Sequence, residues 1–213
     1  MKIKYEVLFI NFSSSGGSSM QWGKILNYFT LEELNYLKSL PEYIKAESII
    51  SRIYVEKLDE NREIIKPAKL DLSGNPEVLH FLYVSNHATT EEGRIVGLLH
   101  DVVEDGHIDF GDLLLRGFSS YIVSTLQILC RDKSKYPKYE DYITSIIESG
   151  NRVALETKFY DIRHNLSPIR ILSLPEERQE KACKKYCEAL PRIAIAYERS
   201  IVYEEYTKRR KIV

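Results

Sequence analysis

The sequence predicts an all-α protein: a helical bundle over residues 46–213, preceded by an irregular extension over residues 1–45. Three observations carry that expectation. From about residue 46 apolar residues recur at i, i+3, i+4 and i+7, the period of a helix with one buried stripe. Helix caps and helix stops punctuate that pattern. Strand-like alternation is confined to residues 3–12, and no segment repeats another.

In chain order, residues 3–12 could be a strand, and "SSSGGSS" after them has the composition of a flexible loop. It is not a phosphate-binding loop, because no Gly-Lys-Ser/Thr closes it. Thr30-Leu31-Glu32-Glu33 is a capping box that opens a short helix ending before Pro41. Ile49, Ile50, Ile53, Tyr54 and Leu58 trace one apolar face, and a polar loop follows over residues 59–73. Asn75, Pro76 and Glu77 read as cap, first-turn proline and first-turn acid of the next helix. Thr89 and Glu92 form a second capping box, before a stripe of Ile95, Leu98, Leu99, Val102 and Val103. Helices follow at about 109–116 and 119–130, separated by Gly117, and at 138–148, stopped by Ser149-Gly150-Asn151. The next starts near 152 with Leu155, Phe159, Ile162 and Leu166 inside. Two more span Glu176 to Lys208, with a break or kink at Pro191.

A chain of 213 residues suits one domain and can bury roughly 70% of its unfolded surface. A net charge of −1 argues against nucleic acid or an acidic membrane as a bulk partner. The basic tail "TKRRK" reads as a solvated terminus. No apolar run is long enough to span a membrane. The first residues make a poor signal peptide, because Glu6 and Asn11 interrupt the apolar segment. Three cysteines without framework spacing read as reduced thiols, Cys183 and Cys187 sharing a helix face, so the expected location is the cytoplasm.

The stretch "GLLHDVVEDG", Gly97 to Gly106, sets His100, Asp101, Glu104 and Asp105 among Leu98, Leu99, Val102 and Val103. Unpaired charge against an apolar stripe is expensive, and a metal centre would explain it if further ligands lie elsewhere. His80 sits amid Val78, Leu79, Phe81, Leu82 and Val84. Lys158, Asp161 and Asn165 fall at i, i+3 and i+7 on a later helix. Singly, His80 reads as a satisfied core histidine and Asp161 as a surface acid. Together, His80, His100, Asp101 and Asp161 supply two imidazoles and two carboxylates from three helices, a set suited to a hard or borderline divalent ion. Adjacent His100 and Asp101 leave their helix roughly 100° apart. Glu104 lies one turn from His100, and Asp105 one turn from Asp101, so both can face the same cavity. Carboxylates at a helix C-terminus oppose the macrodipole, which disfavours a purely structural role for them.

The order His … His-Asp … Asp resembles the signature of HD-domain phosphohydrolases, and finer details resemble the RelA/SpoT-type branch with its small alarmone hydrolases. "GNPEVLH" (Gly74 to His80) is similar to that branch's Gly-x-Pro-x-x-x-His. "LLHDVVED" (Leu98 to Asp105) is similar to its His-Asp helix, and "KFYDIRHNL" (Lys158 to Leu166) to its Lys-x-x-Asp-x-x-x-Asn-Leu. "GF" at Gly117-Phe118 and "YEDYI" at Tyr139–Ile143 also look like small bacterial HD hydrolases. The resemblance covers roughly residues 46–200. It implies an HD-domain helical bundle whose His80, His100, Asp101 and Asp161 bind a divalent metal, typically manganese. It further implies that Glu104 and Asp105 position or deprotonate the attacking water, that Asn165 contacts the nucleotide sugar, and that Lys158 and Lys69 help to bind substrate. Glu77 and Phe81 stand where the family commonly has Tyr and Pro. The family's basic cluster before the glycine is reduced mainly to Lys66 and Lys69. His87 and His164 read as surface or supporting residues rather than ligands, and Arg131 and Lys133 as loop charges. The expected activity is metal-dependent hydrolysis of a nucleotide (pyro)phosphate, with guanosine polyphosphate, (p)ppGpp, as leading substrate. The alternatives are hydrolysis of another nucleotide, or an antitoxin or regulatory binding module on the same scaffold, whose protein partner would use residues 1–45.

Overall fold

The computed structural model describes residues 29–210, and over that span the fold is all-α apart from one small hairpin. The helices are α1 (Leu31–Ser39), α2 (Glu42–Tyr54), α3 (Val78–His87), α4 (Glu91–Glu104), α5 (Phe110–Leu115), α6 (Ser120–Leu129), α7 (Tyr139–Ser149), α8 (Arg152–Asn165), α9 (Pro168–Ile171) and α10 (Glu176–Arg210). Strands β1 (Lys57–Leu58) and β2 (Ile64–Lys66) pair antiparallel inside the segment expected to be a polar loop. The strand and the serine-glycine loop expected over residues 3–19 lie outside the described residues, as does Lys211 of the basic tail. No helix among the described residues is long and apolar enough to cross a membrane.

Helix α4 forms the axis, packing against α2, α3, α6 and α8. Ile95, Val96, Leu98, Leu99 and Val102 are all buried, so apolar side chains leave this helix in nearly every direction. Each such burial contributes roughly 1.5–3 kcal/mol. Thr90, not Thr89, caps α4 by accepting from the Gly93 N–H. Thr89 is committed elsewhere: its N–H (3.2 Å) and hydroxyl (2.7 Å) both donate to the buried Glu156 carboxylate on α8. Tyr197 of α10 donates to the same oxygen. Glu156 thereby ties the α3–α4 connection, α8 and α10 together.

Several boundaries differ from expectation. The boundary between extension and domain, expected after residue 45, falls inside α2, and Phe29, Leu34 and Leu37 lie in the same core as the later helices. An apolar pair one turn apart was the only signal in so short a helix. The Thr30 capping box forms as expected. Leu58 leaves the α2 stripe, because the helix ends at Tyr54 and Leu58 lies exposed on β1. Asn75 does not cap α3. Its N–H donates to Asp71 Oδ1, Pro76 bridges to Leu70, and the helix starts at Val78. Pro191 does not break the last helix, which runs unbroken from Glu176 to Arg210. Ala189, Ile193 and Tyr197 are buried on both sides of the exposed proline and hold the helix together across the missing N–H bond.

Helices α3 and α4 cross closely at Gly97. A Cβ there would lie 2.8 Å from both Cα and N of Ser85 and 3.1 Å from the Val84 carbonyl carbon. Backbone rather than a flexible side chain occupies that space, so Gly97→Ala must push α3 from α4. We expect a loss of about 1–3 kcal/mol of stability, the usual effect of overpacking, read by urea unfolding. Unchanged stability would show that the crossing tolerates a methyl group.

Candidate metal centre

Helices α3, α4 and α8 each deliver part of one cluster. His80, His100 and Asp161 are buried, while the Asp101 side chain keeps 34% of its exposure and stands at the mouth. His80 Nε2 lies 3.2 Å from His100 Nε2, 3.2 Å from Asp161 Oδ1 and 3.7 Å from Asp101 Oδ2. His100 Nε2 is 3.3 Å from the same Asp101 oxygen. Atoms of His80, His100 and Asp101 all lie within 4.8 Å of one another, and Asp161 joins them through its contact with His80. Donors bound to one ion at about 2.1 Å sit roughly 3.0–3.4 Å from their neighbours. Three of the four separations fall in that range, and the fourth, His80 to Asp101 at 3.7 Å, lies just above it.

The hydrogen bonds outside the cluster set its chemistry. His100 Nδ1 faces the Gly97 carbonyl oxygen at 2.8 Å, so it carries the proton and donates, leaving a lone pair on Nε2 of the neutral ring. His80 Nδ1 meets His164 Nδ1 at 2.7 Å. With His80 as donor, its Nε2 also presents a lone pair. Two lone pairs and two carboxylates then converge with no N–H between them, an arrangement that repels itself unless a cation or a proton enters. The residues present therefore fit a divalent ion.

The electrostatics agree. Burial would lower the His100 pKa, but the Asp101 and Asp161 carboxylates overcome it and push it up to about 9. Burial pushes Asp161 up, yet the Lys158 ammonium and the imidazoles hold it well below the usual carboxylate range. Asp101 is likewise lowered against its burial by His100. Burial, the His80 ring and Arg170 depress His164 to about 4, so this ring is neutral at pH 7 and can accept from His80. It stacks on His80 and on Tyr83, with centroids 5.0 and 4.3 Å apart.

Lys158 Nζ donates to Asp161 Oδ2 at 2.7 Å, and Asn165 Nδ2 donates to Asp161 Oδ1 at 2.5 Å. Lys158 and Asn165, two of the three residues expected to bind substrate, thus orient Asp161. Partial burial raises the Glu104 carboxyl, Lys158 pulls it down, and Asp101 pushes it up again, which places Glu104 beside the cluster. Asp105 turns the other way and accepts from the Tyr54 hydroxyl at 3.0 Å. Lys69 donates to His107 Nε2 at 2.5 Å and lies 4.9 Å over the Tyr54 ring, so it belongs to this second group rather than to the ligands. Lys66 is no phosphate contact. It caps α2 by donating to the carbonyls of Arg52, Ile53 and Val55 at 2.6, 2.8 and 3.1 Å. His87 sits apart, bonded to the Tyr83 carbonyl. Arg131 donates to the carbonyls of Tyr136 and Pro137, and Lys133 is exposed.

Sequence reasoning missed three neighbours of the site. Glu77, read as a first-turn acid and as a departure from the family pattern, has its carboxyl raised by burial and by the Asp105 and Asp101 charges. Tyr54 was read as core alone, and His107 was not singled out. The one available signal was that His107 follows the Glu104-Asp105 doublet after a single glycine. No family model and no curated protein matches this chain. The functional reading rests on the residues themselves.

Removing His100 or Asp161 as Ala should abolish binding of one equivalent of manganese in equilibrium dialysis. His164→Ala should weaken it by roughly 10–100-fold, the usual effect of losing a ligand's hydrogen-bond partner, while His87→Ala leaves it unchanged. A full equivalent retained by Asp161→Ala would sink the assignment.

Proposed function

We propose that this chain is a metal-dependent phosphohydrolase of the HD-domain type, cleaving a nucleotide (pyro)phosphate, with (p)ppGpp as the first substrate. The observation that supports this reading is the convergence of His80, His100, Asp101 and Asp161 at 3.2–3.7 Å with Glu104 on the same rim. Held by those four residues, a divalent ion such as manganese would supply Lewis acidity toward a phosphoryl oxygen and a nucleophilic water at neutral pH.

The chain's own residues do the rest. Asp101 keeps the mouth open to an incoming phosphoryl group. The raised carboxyl of Glu104 is suited to take a proton from the attacking water. Asp105 would position that water on leaving the Tyr54 hydroxyl, from which it accepts in this structure. Lys158 and Asn165 lock Asp161 in place, and His164 locks His80, so the ligands need little reorganisation.

One observation favours hydrolysis of a different nucleotide. The basic cluster expected to read guanosine polyphosphate was thin, and Lys66 is committed to the carbonyls of α2. Phe29, Leu34 and Leu37, inside the segment proposed for a protein partner, lie in the core and are not open to one.

Phosphate or pyrophosphate release from a nucleotide panel, with and without manganese, tests the proposal. Glu104→Gln and Asp105→Asn should each lower turnover about 10²–10⁴-fold with metal content unchanged. Wild-type turnover in both variants would reject the catalytic assignment. Manganese binding without hydrolysis of any nucleotide by the wild type would favour the binding module.

A further inference from the structure

A second feature lies beyond the ligands, where α7 and α10 flank a cleft of about 570 Å³. Five cations line it: Lys138, Lys181, Lys184, Lys185 and Arg192. Only two carboxylates do, Glu140 and Glu188, so the cleft is basic in a chain whose net charge is −1. Lys181 pairs with Glu177 at 2.8 Å, and Arg192 donates to the Thr144 hydroxyl at 2.7 Å. No ion pair among the described residues takes Lys138, Lys184 or Lys185. Three ammonium groups are thus gathered outside any ion pair, with five cations against two carboxylates in the cleft, an excess that an anion would relieve.

The inner end of the cleft is shaped. The Lys185 ammonium lies 4.2 Å over the Tyr139 ring and 4.5 Å over the Tyr186 ring, and donates to the Tyr186 hydroxyl at 3.3 Å. Arg131 and Lys158 approach the Tyr139 ring at 5.6 and 5.9 Å. One aromatic ring therefore carries cations from both the cleft and the metal centre, since Lys158 is bonded to Asp161. The Tyr139 hydroxyl is buried and finds no partner in the protein, leaving a donor free. Lysine ammoniums are compact point charges that suit phosphoryl oxygens, and several in one cleft suit a ligand with several charges.

We propose that the α7–α10 cleft is a binding site for an oligophosphate chain of two or three phosphoryl units. The chain belongs either to the substrate, beyond the bond cut at the metal centre, or to a separate effector. Only the first source rests on the hydrolase reading.

The test is calorimetric titration of the full chain with inorganic tripolyphosphate, in EDTA and about 0.15 M salt, where the metal centre cannot contribute. The wild type should bind saturably. Lys184→Glu, an exposed helix position, should weaken binding at least tenfold, and Lys184→Gln should weaken it less. Lys57→Glu, the same charge change on β1 outside the cleft, should stay within twofold. No saturable binding by the wild type, or an equal loss in Lys57→Glu, would overturn the site. With manganese in excess and a nucleotide turned over, tripolyphosphate that raises KM alone assigns the cleft to the substrate's own phosphates. A change in kcat at saturating substrate assigns it to an effector. Absence of all hydrolysis would reject the hydrolase reading and leave the titration decisive for the cleft.

Discussion

The geometry of the site depends on how closely α3 and α4 cross at Gly97. Without a Cβ at that position, the backbone of α3 at Val84 and Ser85 comes within contact of α4. One turn back along α3 is His80, and one turn forward along α4 are His100 and Asp101, a spacing of about 5.4 Å per turn on each helix. The two imidazoles therefore meet at 3.2 Å because the crossing is tight one turn away. The same glycine contributes its carbonyl oxygen to His100 Nδ1, which fixes which nitrogen of that ring faces inward. Packing and proton placement are set by one residue.

Electrostatic need then shapes what surrounds the crossing. Four electron-pair donors in a buried place require positive charge, and the protein supplies a single fixed ammonium, Lys158, bonded to Asp161. The rise of His100 to about 9 shows the remaining demand, met by a proton when no cation is bound. The helices that carry the cluster are held from behind. Glu156 on α8, bonded to Thr89 and Tyr197, anchors the helix bearing Asp161 to α10 and to the α3–α4 connection. Phe81 packs edge-on against both Tyr54 and His100, joining α2 to the same unit.

How much of this was legible in the sequence follows from the range of each signal. Helices α4 and α8 were readable because an apolar period is a local property. The four clustered donors were readable because they form an ordered motif across α3, α4 and α8. What failed depended on partners distant in sequence. Thr89 looked like a cap, but Glu156, 67 residues away, takes its donors. Lys66 looked like part of a basic loop, but the carbonyls of α2 bind it. Pro191 looked like a break, but packing against α8 spans it. The pairing of Lys185 with Tyr139 joins two helices whose sequences, read separately, carry only ordinary surface charge and aromatic residues.

The doublet Glu104-Asp105 shows why charges persist at the end of an apolar helix. Neighbouring residues leave a helix about 100° apart, and the two carboxylates of the doublet meet different partners. Glu104 faces Lys158 and Asp101, and Asp105 faces Tyr54 and Glu77. The pair brackets the half-exposed Asp101 from two sides, one member beside the ammonium that serves Asp161 and the other held by a phenol in the core. Both members stay exposed at the helix end, where their charge opposes the helix dipole and adds to that of Asp101. Positive charge at the opening would relieve all three carboxylates, which links the end of α4 to the same demand for a cation that its middle imposes.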